Sequence, residues 1–86
     1  MNEATQTEAR QIADSLTELV DEIDLASDED ATAEEIQDAR SLADEVLGRY
    51  RDLLTRVDGD DKTELQRSIG LKVAKVEGLL TRLPSP

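Results

Sequence analysis

From Ala9 onward the apolar residues fall at Ala9, Ile12, Leu16, Leu19, Ile23 and Ala26, alternating steps of three and four. That spacing places them on one stripe of an α-helix packed against other helices. Ala13 and Val20 widen the stripe on one side. Thr5 and Glu8 have the spacing of a capping box, which starts the first helix near Gln6 and predicts a span of about 6–26. Ser27 to Ala31 reads Ser-Asp-Glu-Asp-Ala, a polar break with no seam to bury, and predicts a loop. Thr32 and Glu35 form a second capping-box pair, and Glu34 and Glu35 occupy a first turn where the helix dipole favours negative charge. The second seam runs Ile36, Ala39, Ala43, Val46, Tyr50, Leu53 and Val57, flanked by Leu42, Leu47 and Leu54. It predicts a helix over 33–57, roughly 38 Å long.

Asp58-Gly59-Asp60-Asp61 ends that helix, with Gly59 suited to a left-handed backbone position and Asp61 to capping the next helix. The third seam is Leu65, Ile69, Val73, Val76, Leu80 and Leu83, within a predicted helix over 62–83 that Pro84 and Pro86 prevent from continuing. Three helices joined by short connections predict an all-α fold, an up-down-up antiparallel three-helix bundle forming one domain over 1–86. The alternative is a helical hairpin whose third helix completes a bundle only in a dimer. No strand pattern or internal repeat competes with this reading.

Composition removes most chemistry. There is no Cys, His, Trp or Phe and a single Tyr, so disulfides, Cys/His zinc sites, Cys nucleophiles and imidazole bases are all excluded. Apolar residues never run more than two in a row, which argues against a membrane span or a secretory signal and makes a cytoplasmic protein the expectation. Leu, Ile and Val together number 21 of 86 residues, above the roughly 20% below which a highly charged chain stays disordered.

Charge is uneven along the chain. Residues 1 to 47 carry 15 acids and 2 bases, whereas residues 48 to 86 carry 6 acids and 8 bases. Lys62, Arg67, Lys72, Lys75 and Arg82 all belong to the third helix. The simplest expectation is internal complementarity, with these bases beside acids of the first helix, each exposed pair contributing about 0 to 1 kcal/mol. The sharper alternatives are a basic partner for the acidic surface of the first two helices, or an acidic partner for the third. Nucleic-acid binding is disfavoured, because no dense positive surface or aromatic stacking platform is present. The acidity, with 7 Arg and only 3 Lys, is also the composition of proteins adapted to high salt.

Specific motifs fail in identifiable places. Asp24 to Glu35 has the twelve-residue length of an EF-hand loop, but Ala26 stands where a ligand belongs and Glu29 where Gly is needed. Asp58, Asp60 and Asp61 read as turn and cap residues. The seam positions carry no acid, unlike the inward carboxylates of a di-metal bundle, and neither Gly48 nor Gly59 belongs to a phosphate-binding loop. No metal, no cofactor, no small-molecule substrate and no catalytic residue are expected. Tyr50 sits on the seam and is expected to pack its ring in the bundle with its hydroxyl at the edge.

Gly70, Ala74 and Gly78 recur every four residues on the side of the third helix turned away from its seam, with Leu71 beside them. Each internal Gly costs up to about 1 kcal/mol relative to Ala, whereas a row of small residues lets another backbone approach. Gly70, Leu71, Ala74 and Gly78 are therefore the candidate interface for self-association or a protein partner.

The hairpin from Leu16 to Val57, with LTELVDEI before the acidic loop and EEIQDARSLADEVLGRYRDLL after it, resembles the small helical subunit of exonuclease VII. The third helix is outside that resemblance, which implies a non-catalytic subunit that binds a nuclease's large chain. The residues themselves predict a non-enzymatic acidic helical module for protein interaction or assembly. An acidic inhibitor or nucleic-acid mimic acting through the first two helices is the alternative.

Overall fold

The computed structural model describes residues 1–84. It contains three helices, α1 (Glu3–Ala26), α2 (Ala33–Arg56) and α3 (Gly59–Leu80), in an antiparallel up-down-up bundle measuring 44 × 19 × 17 Å. All three pack on one another within one chain, α1 against both neighbours most extensively and α2 against α3 least.

The heptad seams are the core. Ile12, Leu16, Leu19 and Ile23 of α1 are completely buried, and Ala26 nearly so. From α2 come Ile36, Ala39, Ala43, Val46, Leu47, Tyr50 and Leu53, and from α3 Leu65, Ile69, Val73 and Val76. Ala9, Val20, Leu42, Leu54 and Leu80 pack half-buried around this core. No polar or charged residue is buried among the described residues, so apolar contact alone fills the interior.

Helix boundaries depart from the expected ones where local hydrogen bonding decides them. α1 begins at Glu3, earlier than the Thr5–Glu8 spacing indicates, because Asn2 is the cap: its Oδ1 accepts the Thr5 N–H at 2.8 Å. Asn competes strongly for this position, and Thr5 becomes a first-turn residue. At α2 the expected cap forms, Thr32 Oγ1 accepting the Glu35 N–H at 3.1 Å and donating to Glu35 Oε1 at 3.3 Å. Val57 is not helical; its backbone is extended and its side chain is buried.

The second connection is tighter than expected. Val57 and Asp58 are extended and Gly59 follows with φ +57°, reversing the chain in so little length that α3 starts at Gly59. Gly59 thus has its expected conformation, but Asp61 is not a cap. Asp61 lies in the first turn and pairs with the Met1 ammonium at 3.3 Å.

α3 ends at Leu80, short of the expected 83. The Thr81 hydroxyl donates to the Gly78 carbonyl at 2.7 Å, and Arg82 and Leu83 close tight three-residue turns onto Leu79 and Leu80. Pro84 restricts its predecessor and has no N–H to continue a helix. Leu83 still reaches the core and is buried, helped by Arg40, whose Nη2 donates to the Leu83 and Pro84 carbonyls at 3.1 and 3.2 Å. Pro86, the other expected helix stop, lies outside the described residues. The acidic connection is a self-bonded corner: Ser27 Oγ donates to the Ile23 carbonyl at 2.7 Å, and Asp28 Oδ1 accepts the Asp30 N–H at 3.3 Å.

The ion pairs differ from the expected α1–α3 match. Among the described residues, Arg56 of α2 holds Glu8 of α1 at 2.8 Å and Asp52 at 3.2 Å, and no base of α3 pairs with an acid of α1. Arg49 adds a long 3.5 Å contact to Gln11. The interhelical charge match therefore runs between α1 and α2.

Replacing Leu16 with Ala removes a fully buried side chain from the most contacted helix and is expected to cost about 2 to 5 kcal/mol, read as a lower midpoint in urea denaturation followed by circular dichroism. The pH dependence of stability has two arms. Arg56 hydrogen-bonds Glu8 and lowers its pKa below the usual 4.5, so this contribution is present above the ordinary carboxyl range and disappears as pH falls through the lowered value. Burial raises the Tyr50 pKa above its usual 10.0, so stability that depends on the neutral phenol is lost as pH rises beyond that value. Ultraviolet titration of the phenolate reports Tyr50 alone, since the chain has one Tyr and no Trp; the folded chain should titrate at higher pH than the urea-unfolded chain.

Candidate interaction surface

α3 places the four candidate interface residues unequally. Leu71 is 80% exposed, one of two large apolar side chains left in solvent among the described residues, the other being Leu25 at 64%. Ala74 and Gly78 are exposed on the same side, and a Cβ on Gly78 would meet no atom within 4 Å. Gly70 differs: it is half-buried at the edge of the helix packing, and a Cβ there would stand 3.8 Å from the Tyr50 hydroxyl. The outer face thus consists of Leu71, Ala74 and Gly78, while Gly70 marks its border with α2. Tyr50 packs as expected, its ring buried and its hydroxyl at this border.

Three bases of this stretch, two on α3 and one just past its end, are free of ion pairs. Arg67, Lys75 and Arg82 are exposed and have no ion-pair partner among the described residues. Leu71 is therefore an apolar spot within a basic strip, on a chain whose net charge is −11.

A second feature lies beside it. Two adjoining hollows run along the groove between α1 and α3. The upper, about 180 Å³, is lined by Leu16, Thr17, Val20, Asp21, Lys72 and Lys75. The lower, about 370 Å³, exists because Ala9 and Ala13 on α1 face Ser68 and Ile69 on α3 and leave the space unfilled; Arg10, Glu64 and Lys72 stand at its rim. Lys72 spans the groove, its Nζ donating to Thr17 Oγ1 at 3.1 Å, while that hydroxyl donates to the Ala13 carbonyl at 3.1 Å. The sequence signal for this groove is the side position of Ala13 and Val20 on the first seam, which marks an incompletely covered edge.

Among the described residues, no group of three or more acidic side chains converges on a point that would hold a metal ion. The carboxylates of the acidic corner, Asp28, Glu29 and Asp30, are exposed, and Asp28 is engaged by the turn itself. No helix among the described residues is long and apolar enough to cross a membrane.

No curated protein and no solved structure matches the chain. The family model described as the Embryogenesis-like protein helical domain matches residues 6–85, so the match takes in all three helices, unlike the exonuclease VII resemblance of the hairpin alone. The chain belongs to the family of the Embryogenesis-like protein helical domain.

Proposed function

We propose that this chain is a non-enzymatic helical module that self-associates or docks on a protein partner through the outer face of α3, with the cytoplasm as its expected compartment. Leu71 carries the proposal. A leucine 80% exposed at the centre of a helix whose other large apolar side chains serve the core gains little where it stands and would bury its surface at an interface. Ala74 and Gly78 beside it would let a partner backbone approach closely, and membership of a helical-domain family is compatible with an interaction role. The unpaired bases Arg67, Lys75 and Arg82 would set orientation more than affinity.

A second reading is supported by the acids. Only Glu8, Asp52 and Asp61 take part in ion pairs among the described residues, leaving the surface of α1 and α2 free to attract a basic protein as an inhibitor or nucleic-acid mimic would. Such binding loses affinity steeply with added salt, whereas an apolar contact through Leu71 persists.

The double substitution Leu71→Glu with Ala74→Arg is expected to abolish self-association in sedimentation velocity, or recovery of the native partner by affinity isolation, while leaving the thermal midpoint nearly unchanged. Unchanged mass and unchanged partner recovery would sink the proposal. Gly78→Ala separates conformation from contact. It should stabilise the chain by roughly 0.5 to 1 kcal/mol in urea denaturation, since nothing obstructs the added methyl, and still weaken binding by crowding the close approach.

A further inference from the structure

We propose that the groove between α1 and α3 is the seat of a fourth helix, contributed by a different protein, which presents two apolar side chains seven residues apart flanked by carboxylates. The spacing comes from α1. The lower hollow is bordered by Ala9 and Ala13 and the upper by Leu16 and Val20, each pair displaced from the other by one heptad, about 10 Å along the helix. Seven residues return an α-helix to almost the same face. A helix laid along the groove at the usual bundle angle of about 20° would therefore place one side chain in each hollow at its own heptad spacing.

Charge defines the occupant further. Lys72 borders both hollows, Lys75 the upper and Arg10 the lower, and none of the three has an ion-pair partner among the described residues. Asp21 and Glu64 are the acids at the rim, so the rim is net positive on a strongly acidic molecule. A helix carrying Glu or Asp beside its apolar residues complements it. A second copy does not meet the requirement: its seams are buried in its own core, and its exposed large apolar residues, Leu25 and Leu71, lie on different helices. Phosphate of a nucleic acid would satisfy the lysines but leave the apolar floor empty. The site adjoins the Leu71 face and shares Lys75 with it, but it rests on the groove and not on Leu71, so the shifts at Ala9, Ala13, Val20 and Ser68 tell the two apart.

The test uses the isotope-labelled full chain and a synthetic helical peptide of three heptads, with Leu at successive a positions, Glu at the flanking e and g positions and Ala elsewhere. Titration followed by amide chemical shifts should give saturable changes centred on Ala9, Ala13, Val20, Ser68 and Lys72. Lys72→Glu with Lys75→Glu should weaken binding at least about tenfold, and the same peptide with Lys in place of Glu should bind at least about tenfold more weakly to the unaltered chain. Thermal melting shows whether the double variant is folded; if it is not, the charge-reversed peptide on the unaltered chain decides. Absence of saturable shifts, shifts confined to Leu71, Ala74 and Gly78, or equal binding of the charge-reversed peptide would overturn the proposal. Concentration-dependent shifts at the groove without peptide would also overturn it, by identifying a second copy as the occupant.

Discussion

The completely buried stripe Ile12, Leu16, Leu19 and Ile23 of α1 is the interaction on which the bundle rests. α2 and α3 touch each other least, so each is held chiefly by what it buries against α1. Removing this stripe from water supplies the main favourable term. It must also outweigh the mutual repulsion of a chain with net charge −11, which salt weakens without altering the core. Small residues share the work: Ala26, Ala39 and Ala43 are buried among larger side chains, allowing backbones to approach in a protein with one aromatic residue.

With no wholly buried polar or charged residue among the described residues, and only the Nε of Arg40 buried without a partner, the charged ends of the side chains are left to the surface. Specificity must therefore come from how that surface is laid out. Acids cover α1, the corner and α2, while α3 carries free bases on either side of an exposed leucine. Arg56 bridges Glu8 and Asp52, neutralising only a small part of this pattern. The bundle thus presents two different sides, one strongly acidic, the other balanced in charge, since Gly59–Leu80 carries four acids and four bases, with an exposed leucine among them.

Heptad spacing makes the fold legible before any coordinates, because a three-four alternation sustained over six or seven positions fits only a helix with one buried stripe. Val57 and Leu83 show the limit of that rule. Both continue a seam and both are buried, yet neither is helical, since periodicity reports burial and not backbone conformation. Helix starts were less legible because several residues compete to cap: Asn2 displaces Thr5, and the left-handed Gly59 makes Asp61 unnecessary as a cap. For the site, exposure of Leu71 followed directly from its place opposite the seam. The half-buried position of Gly70 did not, because it depends on how closely Tyr50 of another helix comes. The pairing of acids with α2 instead of α3 was equally hidden, since composition states how many charges a helix has but not which neighbour they reach. The groove is legible only in part: Ala13 and Val20 mark an uncovered edge of the first seam, but the space itself depends on how α3 lies against it.

The two connections also differ in what they permit. Two extended residues and a left-handed glycine join α2 to α3 with no slack, whereas Ser27 to Thr32 form an exposed corner that bonds mainly to itself and to the end of α1. Lengthening a flexible surface loop costs only about 0.6 kcal/mol per doubling, so the acidic corner is the place where extra residues, even a further folded unit, can enter the chain without disturbing the bundle. The joint at Gly59 has no such freedom, and an insertion there would alter the register between α2 and α3.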